Sequence, residues 1–175
     1  MSNLDHYRSR LDAYSTGSDP LAIQAETLAI LTEFVRGVPE QALRRRPHPD
    51  KWSVVEIIAH LAEDELVTSW RYRQMIENSG CPLAAFDQDE WARLGDYPSW
   101  SVPESLQMFR LLREANLRMC GRLTPDEWDR FGIHAERGKI RVVDLARHMA
   151  AHDRNHLEQI KAILDERGFA ELSEE

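Results

Sequence analysis

Apolar residues recur along much of this chain at spacings of three and four positions, the period of an amphipathic helix. Alternating runs, which would indicate strands, are almost absent. The helical period extends through four long stretches, at about 20–36, 53–78, 101–123 and 141–167. Four long helices joined by short connections predict an all-α protein built as a four-helix bundle.

Capping residues and helix breakers define the predicted helix ends. Pro20 suits the first turn of the first helix, and Gly37 and Gly168 suit the ends of the first and last helices. Three residue pairs have the spacing of a capping box, in which a hydroxyl and a carboxylate satisfy free amides at a helix start. These pairs are Ser53 with Glu56, Ser101 with Glu104, and Thr124 with Glu127. The apolar stripe predicted for the first helix consists of Leu21, Ala25, Leu28, Leu31 and Val35.

The connections add short elements to the predicted bundle. We expect a helical turn over 39–45, a short helix from Thr124, and a turn or extended segment over 131–139. The connection over 82–100 is long for a small domain and contains Phe86, Trp91, Tyr97 and Trp100. Aromatic side chains on such a loop either fix it to the body of the protein or line a pocket. The predicted fold is therefore a bundle with short extra helices and one long aromatic-containing loop.

Composition and charge narrow the class of protein. The 175 residues suit a single domain over 1–175, and an apolar content of 42% is enough for one core. A net charge of −8 argues against general binding to nucleic acid or to an anionic membrane surface. The sequence shows no signal peptide and no apolar run long enough to span a membrane, and its two cysteines lack a CxxC spacing. These features predict a cytoplasmic protein with reduced thiols.

The histidines are concentrated in the last predicted helix, where His148, His152 and His156 fall within nine residues. Two histidines four positions apart lie on one helix face, at the spacing of two ligands to one metal ion. On a helical wheel, His152 and His156 each fall about 20° from the centre of the apolar face, and His148 falls about 60° away. We therefore expect His152 and His156 to point into the bundle and His148 to lie at its edge.

The second helix offers a third imidazole, His60, on a polar line with Asp64 and Arg71 beside its apolar stripe. A histidine one helix away from such a pair would complete a three-histidine metal site with an open position. The alternative is that His152 and His156 are satisfied by hydrogen bonds within the core while His60 is a half-exposed helix residue. The pattern leaves both interpretations open.

The segment 152–156, HDRNH, also resembles the HExxH motif of zinc proteases, with aspartate in place of the general-base glutamate. Aspartate is one methylene shorter, and the wheel turns Asp153 away from the centre of the core face. We therefore expect no protease site here.

Two segments around these histidines resemble the signatures of a known family. Residues 51–61, KWSVVEIIAHL, and 148–160, HMAAHDRNHLEQI, are similar to the two histidine signatures of the DinB-like (DinB/YfiT) superfamily. The likeness extends from about Tyr7 to Arg167. Supporting matches occur at Tyr14, Arg71, 86–92, Arg113, Trp128, Arg130, Gly132, His134 and Gly138.

The resemblance implies one DinB-like helical bundle with a core at about 7–168, in which His60, His152 and His156 bind a divalent metal ion. Imidazole ligands suit Zn²⁺, Ni²⁺, Fe²⁺ and Mn²⁺, so the sequence does not select the metal. A homodimer is also implied. Arg141 departs from similar chains, which tend to start the last helix with Ser or Thr, and this departure concerns the helix cap rather than the metal site.

The family likeness implies several functions for a protein acting on a small molecule. The favoured expectation is an S-transferase that activates a low-molecular-weight thiol on the metal and transfers it to a small electrophile. The alternatives are a metal-dependent hydrolase and a non-catalytic metal-binding or stress-related protein. An open coordination position beside a pocket would favour an enzyme, and a fourth protein ligand would favour a structural site. No catalytic residue is predicted.

Further polar and aromatic residues are candidates for a pocket. Arg71 and Arg113 suit an anionic substrate, or else pair with acids to hold the long loop. Trp91 would form a pocket wall or clamp the loop, and His134 would approach the metal from the loop before the last helix or lie exposed. Glu63 and Glu65 follow His60 and are candidates for a partner of that histidine or an acid–base role.

Overall fold

The computed structural model describes residues 19–171, with side chains for 19–166. Tyr7, Tyr14 and the rest of residues 1–18 lie outside the described residues. Four long helices are present: α1 (Pro20–Val35), α3 (Val54–Glu77), α5 (Val102–Cys120) and α7 (Val142–Glu171). The short elements are α2 (Glu40–Arg44), β1 (Cys81–Leu83), α4 (Gln88–Leu94), a 3₁₀ turn (Tyr97–Ser99), α6 (Pro125–Trp128), β2 (Phe131–His134) and β3 (Gly138–Arg141).

Two of the three predicted capping boxes are present in the structure. Ser53 and Glu56 form a complete capping box at α3, and Thr124 and Glu127 form another at α6. The box predicted at Ser101 is wrong, because the Ser101 side chain makes no capping hydrogen bond. The backbone carbonyl of Ser101 accepts a hydrogen bond from the Ser105 hydroxyl at 3.0 Å. Spacing alone therefore does not determine whether a capping hydroxyl turns toward the free amides.

Two helix ends differ from their predicted positions. α5 ends at Cys120 with Gly121 as its capping residue, three residues before the predicted end. α7 continues to Glu171, so Gly168 does not end it. At its start, the backbone N–H of Arg141 donates to the Asp144 carboxylate at 3.2 Å, which supplies the cap that a serine or threonine would otherwise share.

The four long helices form a closed arrangement in which each packs against two others. α1 and α3 lie diagonally opposite, and each contacts both α5 and α7. α7 therefore has neighbours on two sides, which explains why five consecutive positions, 149–153, are all buried. In the part of the chain that the structure describes, no helix is long and apolar enough to cross a membrane.

The buried face of α1 differs from its predicted apolar stripe. Gln24, Thr27 and Leu31 are its buried residues, whereas Ala25 is exposed. The two polar side chains are satisfied by α7: Gln24 Nε2 donates to the Ala146 carbonyl at 2.9 Å, and Thr27 Oγ1 donates to Asp153 at 2.8 Å. A stripe defined by apolar residues alone cannot detect a face that is buried against polar partners.

A small three-stranded sheet covers one end of the bundle, and the sequence pattern missed it as a sheet. β1 pairs with β2 in parallel, and β2 pairs with β3 antiparallel. Gly132 permits the first pairing, because a Cβ at that position would lie 2.6 Å from Cγ of Leu83. Gly138 has a φ of +70° directly after the three-residue loop 135–137. Hairpin loops of this length commonly end in a residue with positive φ.

The connection 82–100 is not the unstructured loop that its length predicts, because it contains part of β1, α4 and the 3₁₀ turn. Tyr97 is fully buried, and its hydroxyl donates to Glu63 at 2.6 Å. Its ring packs edge-on against Trp52 and Trp100. The aromatic side chains therefore fix this segment to α3.

Candidate metal centre

Three histidines from two helices converge at one point in the bundle. The Nε2 atom of His152 lies 3.1 Å from Nε2 of His60 and 3.1 Å from Nε2 of His156. Each of the three residues is at most 8% exposed. His60 is therefore a buried residue, which contradicts the alternative interpretation of it as a half-exposed helix histidine. We call His60, His152 and His156 the histidine cluster.

Neighbouring groups orient the histidine cluster. Nδ1 of His156 lies 3.0 Å from Oε1 of Gln159, one turn further along α7. Nδ1 of His152 faces Oδ2 of Asp64 at 3.6 Å, and the ring of Trp52 packs 4.9 Å from that of His60. A proton on Nδ1 of His156 and of His152 matches these oxygen acceptors, and it leaves the Nε2 lone pairs directed into the cluster.

Burial keeps the three imidazoles uncharged. The pKa values of His60 and His152 are lowered well below the ordinary value, first by burial and then by repulsion from neighbouring histidines. Burial also lowers the pKa of His156 to about 4. Neutral imidazole is the form that coordinates metal ions, so the cluster needs no proton release from these rings near neutral pH.

The donor set fits a divalent transition metal ion. Metal–nitrogen bonds of about 2.0–2.1 Å place two ligand nitrogens of one ion roughly 3–3.4 Å apart, and both measured Nε2 separations are 3.1 Å. Nδ1 of His152 is buried without a hydrogen-bond partner, although Asp64 lies just beyond bonding distance. A small shift of either side chain would complete the carboxylate–histidine contact that commonly supports a metal ligand.

The histidine cluster lies in the wall of a cavity of about 430 Å³. α3 and α7 form one side of this cavity, and residues 50–52, 85–89 and 134–137 contribute the rest of its lining. Among the described residues, the group of ligand atoms lying within 4.8 Å of one another contains only the three histidines. The cluster therefore borders a space large enough for a small molecule and has no fourth protein ligand in this group.

The predicted pocket residues separate into two sets. Arg71 and His134 line the cavity, and His134 accepts the backbone N–H of Glu136 through Nδ1 at 3.2 Å. Trp91 lies outside the cavity lining, where its ring packs 4.7 Å from that of Phe86. Phe86 itself lines the cavity. Of the predicted pocket residues, Arg71 and His134 are therefore placed to contact a ligand.

Arg113 also lies outside the cavity lining, and it forms the centre of a second buried polar cluster. Its guanidinium pairs with Asp153 at 2.5 Å and with Glu65 at 2.9 Å. Thr27 donates to Asp153, and Asn116 donates to Glu65. We call these five residues the Arg113 cluster. The expectation that Arg113 binds substrate is wrong for this arrangement, because its positive charge is already paired in the core.

Two further expectations about individual residues are corrected. Asp153 is fully buried rather than directed away from the core, because α1 and α5 pack on the side of α7 that it faces. Glu63 accepts a hydrogen bond from the Tyr97 hydroxyl, and Glu65 forms an ion pair with Arg113, so neither is a solvated surface residue or a partner of His60. Sequence reasoning placed His148 at the edge of the bundle, where it lines the cavity, but it did not identify Arg137 as a cavity residue.

Comparison with known proteins places these features in a family. The family model described as the DinB superfamily matches residues 25–160. The chain therefore belongs to the DinB superfamily of helical bundles, which confirms the predicted family.

Individual relatives agree with this assignment. "Putative metal-dependent hydrolase OB0413" of Oceanobacillus iheyensis is 26% identical over 134 residues, covering 77% of either chain. "Putative metal-dependent hydrolase OB0782" of the same organism is 27% identical over 112 residues, covering 64% of either chain. The chain is thus similar to proteins named as hydrolases rather than as transferases.

A solved structure supports the fold. YfiT from Bacillus subtilis, described as "a probable metal-dependent hydrolase with an unusual four-helix bundle topology", superposes with a TM-score of 0.80. Sequence identity is 18%, and the match covers 85% of this chain and 86% of YfiT. The predicted fold class, an all-α four-helix bundle of the DinB/YfiT kind, is confirmed, with the small sheet as an addition.

Proposed function

We propose that this protein is a metal-dependent hydrolase that binds one divalent transition metal ion through His60, His152 and His156. The observation that carries the proposal is the convergence of three buried, neutral imidazole nitrogens beside an open cavity. Membership of the DinB superfamily and the names of the Oceanobacillus relatives support it. Zn²⁺, Ni²⁺, Fe²⁺ and Mn²⁺ all suit this imidazole set.

The bound ion would supply a nucleophile, since a divalent metal held by three histidines lowers the pKa of coordinated water to near 7. Gln159 and Asp64 would hold His156 and His152 in the orientation that directs Nε2 into the cluster. Burial and the adjacent Glu65 raise the pKa of Asp64 to about 7. Its carboxyl lines the cavity and would therefore hold or release a proton near neutral pH.

The other expected functions have less support. The names of the relatives give no support to the thiol-dependent S-transferase or to a low-molecular-weight thiol as cofactor. A purely structural metal site usually has four protein ligands, whereas the group around His152 contains three histidines among the described residues. The homodimer stays a prediction, which light scattering of the purified protein would measure.

Metal content is the first test of the proposed function. Mass spectrometry of tag-free protein should find about one transition metal ion per chain, and the His152→Ala variant should lose it. His148→Ala is the matched control, because this residue lies one turn away on the same helix, lines the same cavity and stands outside the cluster. The control should retain the metal.

Hydrolysis is the second test. The metal-loaded protein should hydrolyse members of a panel of small esters and amides, and both His152→Ala and chelator treatment should abolish this activity. Activity should not require added thiol. Absence of metal after reconstitution, or activity that appears only when a thiol is supplied, would overturn the proposal.

A further inference from the structure

Two guanidinium groups on one side of the cavity have no acidic partner among the described side chains. Arg71 projects from α3, and Arg137 lies in the loop between β2 and β3. Among side chains 19–166, neither guanidinium has a carboxylate oxygen within 4 Å. Arg113, by contrast, pairs with two carboxylates. The two cavity arginines therefore present positive charge that the described part of the chain does not neutralise by direct contact.

Both guanidinium groups are nevertheless held in place. Nη2 of Arg71 donates to the Ala84 carbonyl at 2.7 Å, and its guanidinium lies 5.6 Å from the centre of the Phe86 ring. Nη1 of Arg137 lies 3.3 Å from Nε2 of His148. These contacts use uncharged groups, and a guanidinium carries five N–H donors, so each arginine keeps donors for another acceptor.

The electrostatic environment shows that the two charges act on the same region. Arg71 and Arg137 both lower the pKa of His148, after the larger effect of burial, and both lower the pKa of His134 in the same way. Burial and the charge of Arg137 also lower the pKa of Arg71. A partly buried cation beside a second cation gains more from an anionic ligand than an exposed one does.

None of the acids that line the cavity is in close contact with either guanidinium. Asp64 faces Nδ1 of His152 at 3.6 Å and makes no contact to either guanidinium within 4 Å. Asp50 pairs with His48 and Lys51 at a different part of the cavity wall. Asp89 and Glu136 line the cavity without a contact to either guanidinium within 4 Å.

We propose that the substrate carries an oxyanion, a carboxylate or a phosphate, which Arg71 and Arg137 bind while the reacting bond lies at the histidine cluster. This inference rests on the proposed hydrolase function, because both use the same cavity. His148 links the two parts: it contacts Arg137, and its ring centre lies 6.0 Å from that of His152. Planar guanidinium groups match the paired oxygens of carboxylates and phosphates.

Anion binding can be measured without knowledge of the substrate. Inorganic phosphate and propionate would be titrated calorimetrically into the full-length protein at low ionic strength, where charge interactions are least screened. Arg71→Gln and Arg137→Gln should each weaken binding about tenfold, and the double variant should bind no measurable anion. Arg110→Gln is the matched control, since it removes one charge from an exposed ion pair on α5 and should change the Kd less than about twofold.

A parallel titration of His152→Ala separates the arginine site from an anion bound directly to metal. Binding that persists in His152→Ala and is lost in the double arginine variant supports the proposal. The tighter of the two anions then assigns the substrate as a carboxylate or a phosphate. Binding that is lost in His152→Ala but unchanged in the double arginine variant would overturn it, as would wild-type protein that binds neither anion.

Failure of the proposed function has a different signature. Arginine-dependent anion binding in a protein that holds no metal and hydrolyses no ester would overturn the hydrolase proposal and keep the anion site. Metal-dependent hydrolysis without arginine-dependent binding would do the reverse. Arg137 lies in an exposed part of the hairpin loop, so Arg137→Gln tests the site without disturbing the bundle core.

Discussion

The histidine cluster and the Arg113 cluster are both buried and both built on α3 and α7, yet they differ in their charge. The Arg113 cluster contains its own cation, because the guanidinium lies between the carboxylates of Glu65 and Asp153. The histidine cluster contains three neutral bases and no cation. Adjacent residues of α7, His152 and Asp153, belong to different clusters. A buried charge that is paired within the chain has its partner in the fold, whereas a buried group of bases beside a cavity is a candidate site for a ligand.

The position of each cluster matches this difference. The Arg113 cluster connects all four long helices, since Thr27 lies on α1, Glu65 on α3, Arg113 and Asn116 on α5, and Asp153 on α7. The histidine cluster connects two helices and opens to the cavity. The first cluster therefore holds the register of α3 and α7, and that register brings His60 to the two histidines of α7.

The largest effect is expected from Arg113→Met. This change leaves Glu65 and Asp153 buried without their cation, and breaking a buried ion pair in this way costs about 3–5 kcal/mol. The free energy of unfolding, measured by chemical denaturation, should fall by that amount. Arg110→Met on the same helix breaks only an exposed pair with Glu114, so its effect should stay below about 1 kcal/mol. Equal stabilities of the two variants would contradict the structural role of the Arg113 cluster.

Removal of metal should have the next largest effect, and only through the histidine cluster. A ligand present at about 100 times its Kd stabilises the native state by about 2.7 kcal/mol. The free energy of unfolding of the wild-type protein should be higher with metal than with chelator by about this amount. The His152→Ala variant should show no such difference. Metal-dependent stabilisation of the His152→Ala variant would mean that the ion binds elsewhere.

The smallest effect concerns the pH dependence of stability that the histidine cluster contributes. The pKa of His156 is about 4 in the folded protein, below the ordinary value near 6.5 expected in the unfolded chain. Between these values the unfolded chain binds a proton that the folded protein excludes, so stability falls as the pH is lowered. In the presence of chelator, protonation of His156 in the unfolded chain should lower the free energy of unfolding by about 1 kcal/mol as the pH falls from 6.5 to 5.5.

The His156→Gln variant isolates this contribution. It should lose less stability than the wild type over the same pH interval, by about 1 kcal/mol. Asp64, whose pKa is raised to about 7, contributes an opposite slope, but it does so in both proteins and cancels in the comparison. Identical pH dependence of the two proteins would show that the His156 ring is not excluded from protonation in the folded state.

Local pattern predicted a large share of this molecule. The period of apolar residues predicted the four long helices, and the serine and threonine capping boxes predicted the starts of α3 and α6. The wheel of α7 predicted that His152 and His156 are buried and that His148 lies at the edge. These features depend on residues within a few positions of one another, where the geometry of the helix alone relates sequence to direction.

The sequence by itself determined the class of fold, the family and the residues offered to a metal ion. Only the tertiary structure decided which charged side chains pair with partners far away in the sequence. Asp153 pairs with Arg113 across 40 positions and with Thr27 across 126, distances over which no local period carries information. The same applies to Arg71 and Arg137, which meet at one cavity because a small sheet brings the hairpin loop over α3. Whether a charge is paired in the core or free to bind a ligand depends on which helices become neighbours, and only the packed bundle establishes that.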